Sequence, residues 1–451
     1  TGFTSSSSSI TSIGSHQSTY GGGPYDGFLF KMSNTGALLW STYYGGSGDD
    51  QGYLCQIDTV GNVIISGQTS STNSISTLGT QQITYAGGSY DAFLAKFNSN
   101  GVRQWGTYYG GSGEDVGLGC SVDTKNNIYL TGYTTSSVSI ATTGSHQFGY
   151  GGNKDCFLIR FNSNGIRKWA TYYGGSGNDL AMPVATDSLD YVYIAGVTNS
   201  TDSISTTTAH QSIYGGCATT TGCNGDGFLV KFDSIGIRQW GTYYGGTRDD
   251  GCYDIFTKGT NVFICGTSMS QTGISTSNTY QDFNVNQYVD ILLAKFNNNG
   301  VRQWGTYMGS FLGDFAYSVI VDNQGYIYLC GESDGSFPVT ASAYQTNVGG
   351  SIDGVIVKFR ESAIASNVDN LTIETSPLRI YPNPNSGSFT IQTKEDVVLE
   401  IVNELGQLVK TVKLDAGNNH QTTITGLADG VYCLKDKLSG TIIKNKIVVV
   451  K

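Results

Sequence analysis

A phrase built around tryptophan occurs five times in this chain of 451 residues, and all five tryptophans lie in it. A second phrase, of the type Asp-x-Phe-Leu-x-Lys-Phe, accompanies it. Its leading aspartates are 65, 64, 71, 64 and 63 residues apart, and the tryptophans are 65, 64, 71 and 64 apart. The two series agree, including the one long interval, so they mark a single repeating unit. The tryptophans are Trp40, Trp105, Trp169, Trp240 and Trp304, and the aspartates are Asp26, Asp91, Asp155, Asp226, Asp290 and Asp353.

Each unit contains four strand-like runs separated by short turns, as the second unit shows. Its runs are residues 91–98, 102–109, 115–123 and 127–134. The runs alternate, yet both faces are apolar, because Phe93 and Phe97 share one side while Leu94 lies on the other. A sheet that is apolar on both faces must be covered on both. The pattern predicts an all-β fold, a β-propeller of four-stranded blades. A linear solenoid is the alternative, although its repeats are usually shorter.

The repeated tryptophan has a structural interpretation. We expect it on the fourth, outermost strand, where a large flat side chain covers the gap between diverging blades. The Gly-Gly turn that follows leads to the next blade, and the Asp after that turn accepts backbone N–H bonds. Arginine stands two residues before four of the tryptophans, where a guanidinium on the same strand face can stack on the indole. These arginines are Arg103, Arg167, Arg238 and Arg302; the first copy has Leu38 instead.

The composition agrees with a turn-rich β fold and limits the partners. Glycine is frequent (62 residues) and charged residues make up 13%, against about a quarter in most soluble domains. A net charge of −10 disfavours nucleic acid, because such a surface repels a polyanion. There is no run of about 18 apolar residues that would predict a transmembrane helix. The chain starts at Thr1 without a methionine or signal peptide, and we expect a mature or trimmed protein.

The units resemble the bacterial extracellular β-propeller repeats often described as seven-bladed, which carry D-A-F-x-x-K and T-Y-x-G-G-S-x-D-D signatures. Residues 334–359 also match that family's F-P…A-Y-Q…G-G…D pattern. The resemblance covers about 1–360 and recurs six times, and it implies the fold more firmly than an activity. Six blades are expected if a first strand and a ring-closing outer strand precede Thr1. Seven blades would need a further whole repeat upstream.

The composition changes after the last repeat. Residues 361–370 contain neither glycine nor aromatic residues and are predicted to be a linker, and 371–451 have the alternating pattern of a small β-sandwich. This second domain resembles the C-terminal sorting domain of type IX secretion substrates in Bacteroidetes. The matching residues are Tyr381, Pro382, Asn383, Pro384, Gly387, Gly430 and Tyr432, with the run 403–409 between them. The resemblance implies export across the outer membrane, with the secretion machinery as the partner of this domain.

Histidines and acidic pairs are the candidate chemical groups of the repeats. His16, His146 and His210 occupy one repeat position that holds Gln81 or a tyrosine in other units. A catalytic histidine would be unique, so we interpret them as structural. The acidic pairs recur too, which favours turn capping over a glycosidase dyad, with calcium bound in several turns as the alternative. The calcium candidates are Asp49, Asp50, Glu114, Asp115, Asp179, Asp249 and Asp250. No other cofactor is implied, and no catalytic constellation is found.

Two kinds of covalent modification are predicted for an exported protein. The long repeat interval comes from an insertion at 217–223, where Cys217 and Cys223 are expected to form a disulfide. Cys252 and Cys265 lie on adjacent strands and form a second, weaker candidate pair. Four Asp-[Ser/Thr]-apolar triplets resemble the O-glycosylation signal of Bacteroidetes and fall in predicted turns or loops. Their acceptors are Thr59, Ser188, Ser203 and Ser234.

The sequence therefore predicts a secreted, cell-surface β-propeller that binds or scaffolds in the manner of an adhesin. One alternative is a structural subunit of a surface assembly or filament, in which strands from a neighbour complete the first and last units. The other is a glycan-active hydrolase or lyase. The ligand, protein or glycan, is expected to contact what differs between blades, since the shared residues are interpreted as structural.

Overall fold

A computed structural model describes residues 1–216, 225–277, 279–284, 288–310, 312–335, 337–340, 343–347, 349–360, 379–381, 387–393, 396–403, 407–437 and 442–449. The chain divides into two compact units, Thr1–Glu361 and Ser362–Lys451. No helix among the described residues is both long enough and apolar enough to span a membrane.

The first unit contains six antiparallel sheets among its described residues, which we call blades 1 to 6 in chain order. Blade 1 is β1 (Gly2–Thr4), β2 (Asp26–Met32) and β3 (Leu38–Tyr44). Blade 2 is β4 (Asp50–Ile57), β5 (Val63–Thr69), β6 (Asp91–Phe97) and β7 (Arg103–Tyr109). Blade 3 is β8 (Asp115–Val122), β9 (Ile128–Thr134), β10 (Asp155–Phe161) and β11 (Arg167–Tyr173).

The remaining blades follow the same order. Blade 4 is β12 (Asp179–Thr186), β13 (Val192–Thr198), β14 (Asp226–Phe232) and β15 (Arg238–Tyr244). Blade 5 is β16 (Asp250–Lys258), β17 (Asn261–Ser268), β18 (Asp290–Asn297) and β19 (Arg302–Met308). Blade 6 is β20 (Asp314–Val321), β21 (Tyr326–Ser333) and β22 (Asp353–Arg360). In each blade every strand pairs with the next one along the chain.

The blades pack face to face, as the two-sided apolar pattern predicts. Every residue of β6 is buried, and the core between blades 2 and 3 contains Leu94 and Trp105 from one sheet with Phe157 and Phe161 from the other. The first strand of each following blade contacts the first and second strands of its four-stranded predecessor. The predicted β-propeller of four-stranded blades is confirmed, and its strand bounds lie within a residue or two of the predicted runs.

The second unit is also built from antiparallel strands. One sheet contains β23 (Arg379–Tyr381), β24 (Ser388–Gln392) and β27 (Gln421–Thr425). The other contains β25 (Val397–Asn403), β26 (Leu408–Leu414), β28 (Gly430–Asp436) and β29 (Ile442–Val449), and a 3-10 turn spans Ala416–Asn418. Phe389 and Ile424 from the first sheet share a core with Leu399 and Leu434 from the second. Two sheets around one core form a β-sandwich. The predicted linker, 361–370, lies outside the described residues.

Candidate functional site

At four junctions between successive blades the structure shows one repeated arrangement, which we call the carbonyl clamp. A basic side chain on the next-to-last strand of a blade and the tryptophan Nε1 on its last strand donate to the same turn carbonyl of the next blade. At the first junction Lys31 Nζ and Trp40 Nε1 reach the Ser99 carbonyl at 3.1 and 3.0 Å. The other clamps are Lys96 and Trp105 on Ser163, Arg160 and Trp169 on Ser234, and Lys231 and Trp240 on Asn298.

The clamp explains why the tryptophan recurs and why glycine follows the clamped turn. A Cβ on Gly101 would lie 2.8 Å from the Trp40 indole, and the same holds at about that distance for Gly165, Gly236 and Gly300 beneath their tryptophans. Each of these glycines also has a positive φ, near +80°, which side chains disfavour. The tryptophan thus covers the gap between blades on the outermost strand, as expected.

The arginines do not stack on the tryptophans, which corrects the sequence interpretation. In blade 2 Phe97 pairs with Arg103 while Lys96 pairs with Trp105, because a β-bulge shifts the register between them. Neighbouring residues of a strand lie on opposite faces, so Arg103 and Trp105 do too. The Arg103 guanidinium instead donates to the carbonyls of Ser74 and Ile75 at 2.6 and 3.3 Å.

The repeated histidines pack against the next blade. The rings of His16, His146 and His210 lie 5.7 to 5.8 Å from Phe97, Phe232 and Phe296, edge to face. In blade 5 the tyrosine ring of Tyr280 takes that place against Phe359. Burial, together with a nearby arginine, lowers the pKa of each histidine to about 4. They are neutral at pH 7 and part of the packing.

Blade 2 is different, because Gln81 stands at the histidine position. An open depression of about 370 Å³ lies there, lined by Gln81, Gln82, Thr84, Ala86, Tyr109, Gly110, Ser139 and Arg167. The Arg167 guanidinium lies 5.8 Å from the Tyr109 ring centre and donates to the Tyr109 hydroxyl at 3.0 Å. The Arg167 backbone N–H donates to Gln81 Oε1 at 3.3 Å. The depression therefore combines amides, hydroxyls, one guanidinium and one aromatic ring. It lies where the other junctions hold a histidine or tyrosine ring.

The second residue of each acidic pair caps the turn between blades. Asp50 accepts from the Gly46 N–H and the Ser71 hydroxyl at 2.7 Å each, and also from the Thr69 hydroxyl. Asp115, Asp179 and Asp250 repeat this pattern. The first residues bind neighbours: Asp49 accepts from the Tyr90 hydroxyl at 2.8 Å, and Glu114 pairs with Lys154 at 3.1 Å.

Calcium at these turns stays a prediction. Among the described residues, no group of three or more His, Cys, Asp or Glu side chains is arranged to hold a metal ion. Hydroxyls and N–H groups already donate to the buried carboxylates, so a cation would compete with them. The measurement that checks the prediction is the unfolding temperature of chelator-treated protein during a calcium titration.

A second set of buried carboxylates was recognised in the sequence only as a repeat marker. The leading Asp of each third strand lies beside the turn Asp of the next blade, and both approach one glycine. A Cβ on Gly110 would lie 2.8 Å from Asp91 Oδ1 and 2.7 Å from Asp115 Oδ2. Asp91 Oδ2 accepts from Ala86 N–H and the Gln82 amide, whereas Oδ1 has no partner among the described residues.

These carboxylate pairs titrate abnormally. Burial, with the charge of Asp115 added, raises the pKa of Asp91 to about 7. Burial and the next turn Asp likewise raise the pKa of Asp226 to about 8 and of Asp290 to about 7. Two buried carboxylates that lie against the same glycine repel each other when both are charged, so they resist simultaneous ionisation.

The cysteine predictions have different outcomes. Cys217 and Cys223 lie outside the described residues, and their disulfide stays a prediction. The weaker pair is wrong, because Cys252 and Cys265 are both free thiols. Cys252 pairs with Gly266 across the ladder, so Cys265 points to the other sheet face. Cys252 packs toward blade 4 and Cys265 toward blade 6.

The predicted modification sites differ in exposure. Thr59, Ser188 and Ser203 are exposed, whereas Ser234 is half-buried and its carbonyl is held in a clamp. Glycosylation stays a prediction for all four. In the sorting domain, Tyr432 is buried and its hydroxyl donates to the Ala428 carbonyl at 2.9 Å. Gly430 has a φ of +155°, and Pro382, Asn383 and Pro384 lie outside the described residues.

Repeated blades joined by one type of clamp, followed by a separate β-sandwich, define a propeller repeat protein with a C-terminal accessory domain. Two protein families match parts of the chain and support this class. Residues 168–202 and 303–338 match the Beta-propeller repeat family, and 379–450 match the Secretion system C-terminal sorting domain. The chain thus carries propeller repeats of that family and a type IX sorting domain. The sorting domain directs export to the cell surface or the extracellular space and is handled by the type IX secretion machinery.

Individual proteins are similar to the chain as well, and two of them illustrate the level of similarity. An uncharacterized WD repeat-containing protein of Acanthamoeba polyphaga mimivirus is 26% identical over 179 residues, which cover 37% of this chain and 13% of that protein. The chain therefore spans only a small part of that relative. A glycoside hydrolase family 32 structure from Bifidobacterium adolescentis is 12% identical and covers 88% of this chain and 75% of its own, with a TM-score of 0.28. A likeness at that level carries no argument about activity.

Proposed function

We propose that this exported propeller is a cell-surface binding or scaffold protein that recognises a neutral, hydroxyl-rich ligand, a glycan, in the depression at Gln81. The observation that supports the proposal is the replacement of a packed ring by Gln81 at this one junction. The recurring side chains serve the blades themselves, so a ligand must use what differs between them.

The chemistry of the depression suits a glycan. Amide and hydroxyl groups donate to and accept from sugar hydroxyls, and the lining offers the amides of Gln81 and Gln82 with the hydroxyls of Thr84 and Ser139. The single guanidinium is shared with the Tyr109 hydroxyl and the Ile140 carbonyl. A strongly acidic chain, with a net charge of −10, favours neutral over polyanionic glycans.

The test uses the full chain on a glycan array and then in solution titrations. Gln81→His restores the residue that three other blades carry, and we expect it to pack against Phe161 and fill the depression. Its affinity for the bound glycan should fall at least about tenfold, or about 1.4 kcal/mol, with no loss of thermal stability. The matched control, His146→Gln, opens the same position one junction later and should keep the affinity.

The outcomes separate the alternatives. Undiminished binding by Gln81→His would place the site elsewhere, and no binding to any glycan would end the proposal. Analysis of the glycan after incubation covers the hydrolase or lyase alternative, because an enzyme would return a shortened product and a binding protein would return the ligand intact.

A structural subunit of a surface assembly is a second candidate. The observation that favours it is the pair of exposed apolar sheet faces at the two ends of the blade series. Phe30 and Met32 in blade 1 and Ile356 in blade 6 are exposed, although their counterparts in the inner blades are buried.

A further inference from the structure

The depression at Gln81 lies within one complete junction of the propeller. Blades 2 and 3, which form it, both contain four strands, and residues 81–167 are described throughout. At three other junctions a histidine ring packs against a phenylalanine of the next blade at this position, whereas Gln81 leaves the space open. What the depression can bind therefore follows from the polar groups that stay unpaired in its lining.

The Gln81 amide offers hydrogen-bond donors to the depression. Its Oε1 accepts from the Arg167 backbone N–H at 3.3 Å, which holds the oxygen end of the amide against the chain. The Nε2 group has no hydrogen-bond partner among the described residues. Because a primary amide nitrogen carries two N–H groups, both are available to a ligand.

The Arg167 guanidinium adds further donors. Its Nη1 donates to the Tyr109 hydroxyl at 3.0 Å and to the Ile140 carbonyl at 3.4 Å. A guanidinium has several more N–H groups and no acceptor, and no other side-chain hydrogen bond of Arg167 is found in the part of the chain that the structure describes. The remaining N–H groups are donors that the fold leaves unused. Their positive charge strengthens any hydrogen bond that they form.

The amide and carbonyl acceptors of the lining are already engaged within the protein. Gln82 Oε1 accepts from the Gly110 N–H at 3.1 Å, and the Thr84 carbonyl accepts from the Gln82 amide at 3.1 Å. The Gln81 oxygen is engaged as well. The hydroxyls of Thr84 and Ser139 can either donate or accept. Unused donors thus outnumber unused acceptors among these residues, and a matching ligand must supply an acceptor.

An acetamido group meets this requirement better than a sugar hydroxyl. Its carbonyl oxygen has two lone pairs and can accept from Gln81 and Arg167 together, whereas a hydroxyl must also direct its own hydrogen to an acceptor. The Ala86 side chain in the lining is exposed and offers a contact for the acetyl methyl group. A carboxylate would accept too, but the net charge of −10 opposes an acidic ligand.

We propose that the depression recognises glycans through an acetamido group, whose carbonyl accepts from Gln81 Nε2 and the Arg167 guanidinium while its methyl group contacts Ala86. N-acetylated hexosamines are then the ligand class. Gln81 sets this specificity, because it both opens the depression and supplies the donor. The inference rests on the proposed glycan binding and narrows it to one class of sugar.

The test measures the affinity of the full chain for pairs of sugars that differ in carrying an acetamido or a hydroxyl group at one carbon. The pairs are chitotriose with cellotriose, N-acetyllactosamine with lactose, and the methyl glycosides of N-acetylgalactosamine and galactose. The N-acetylated member of at least one pair should bind at least about tenfold more tightly, which corresponds to about one net hydrogen bond.

Gln81→Glu removes the donor and keeps both the side-chain size and the acceptor for the Arg167 N–H. Its affinity for the N-acetylated member should fall at least about tenfold, and its affinity for the hydroxyl member should fall less. The matched control is Gln104→Glu, the same substitution at an exposed glutamine of blade 2 outside the lining, which should keep the preference. Gln81→Met, which also lacks the donor, repeats the test if Gln81→Glu unfolds at a lower temperature.

The outcomes separate this inference from the proposed function. Equal affinity for both members of every pair, in a protein whose glycan binding is lost in Gln81→His, overturns the inference and leaves the proposed function standing. An undiminished preference in Gln81→Glu overturns it too, as does a loss of preference in Gln104→Glu. Tighter binding of trigalacturonic acid than of any N-acetylated sugar would assign the donors to a carboxylate and overturn it as well. Absence of binding to every sugar ends both.

Discussion

The buried carboxylate pairs predict that this protein loses stability as the pH rises. The folded pKa of Asp91, about 7, lies above the ordinary value of about 3.9 for an unfolded chain. The folded protein therefore holds a proton that the unfolded chain releases first. The contribution of this bound proton to the free energy of unfolding is complete below about pH 4 and is lost as the pH rises through 7.

The size of the effect follows from the shift of about three pH units. At about 1.4 kcal/mol per pKa unit, ionisation of one pair lowers the free energy of unfolding by up to about 4 kcal/mol between pH 4 and pH 8. Asp91→Asn removes this charge and puts an amide N–H2 where Oδ1 has no partner, beside Asp115. The retained carbonyl still accepts from Ala86 N–H and Gln82, although these bonds weaken without the charge. We expect a net gain of about 1–3 kcal/mol at pH 8 and almost none at pH 5.

Asp155→Asn is the matched control. Both Asp155 oxygens accept backbone N–H bonds, Oδ2 from Gly151 at 2.7 Å and Oδ1 from Gly152 at 3.1 Å. Asparagine has one acceptor for the two donors, and an unpaired buried N–H costs about 1–3 kcal/mol. Burial raises the pKa of Asp155 as well, to about 6, so the loss of its charge stabilises the protein at pH 8 while the loss of an acceptor destabilises it. Because the two effects are of similar size, this variant should show little or no net gain at pH 8.

The assay is urea unfolding at pH 5 and pH 8, followed by the fluorescence of the tryptophans between the blades. The reasoning would be refuted if the wild type were as stable at pH 8 as at pH 5. It would fail equally if Asp91→Asn and Asp155→Asn changed the free energy of unfolding at pH 8 by the same amount.

Three other predictions concern single positions. Gly101→Ala should cost about 1–3 kcal/mol more than Gly36→Ala in chemical unfolding, because only the former Cβ enters the space of Trp40 while both carry the positive-φ penalty; equal losses would contradict the packing role of the clamp. Cys217 and Cys223 should appear as a linked pair in mass spectrometry of unreduced peptides, since the protein is exported to an oxidising environment, and free thiols there would disprove it. Peptides of protein purified from its native host should carry sugar mass at Thr59, Ser188 and Ser203, with the half-buried Ser234 modified least; bare peptides at all four sites would end that prediction.

The sequence determined the elements of this protein because the signals for them are local. Alternation over seven residues gives a strand, as in Asp91–Phe97, and apolar residues on both of its faces require neighbouring sheets. The equal spacing of tryptophans and aspartates gave the number of units between them. The ordered motifs after residue 371 gave the sorting domain, because they are short contiguous runs.

The tertiary structure decided which of these residues meet. One bulge between Lys96 and Phe97 rotates Trp105 away from Arg103, and spacing along the chain does not show where a bulge falls. The pairing of Asp91 with Asp115 and the depression at Gln81 arise between sheets, where the contacts depend on how the blades pack. The exposure of Phe30 and Ile356 is also decided at this level: both residues match buried positions of the repeat, and no sheet among the described residues packs against them.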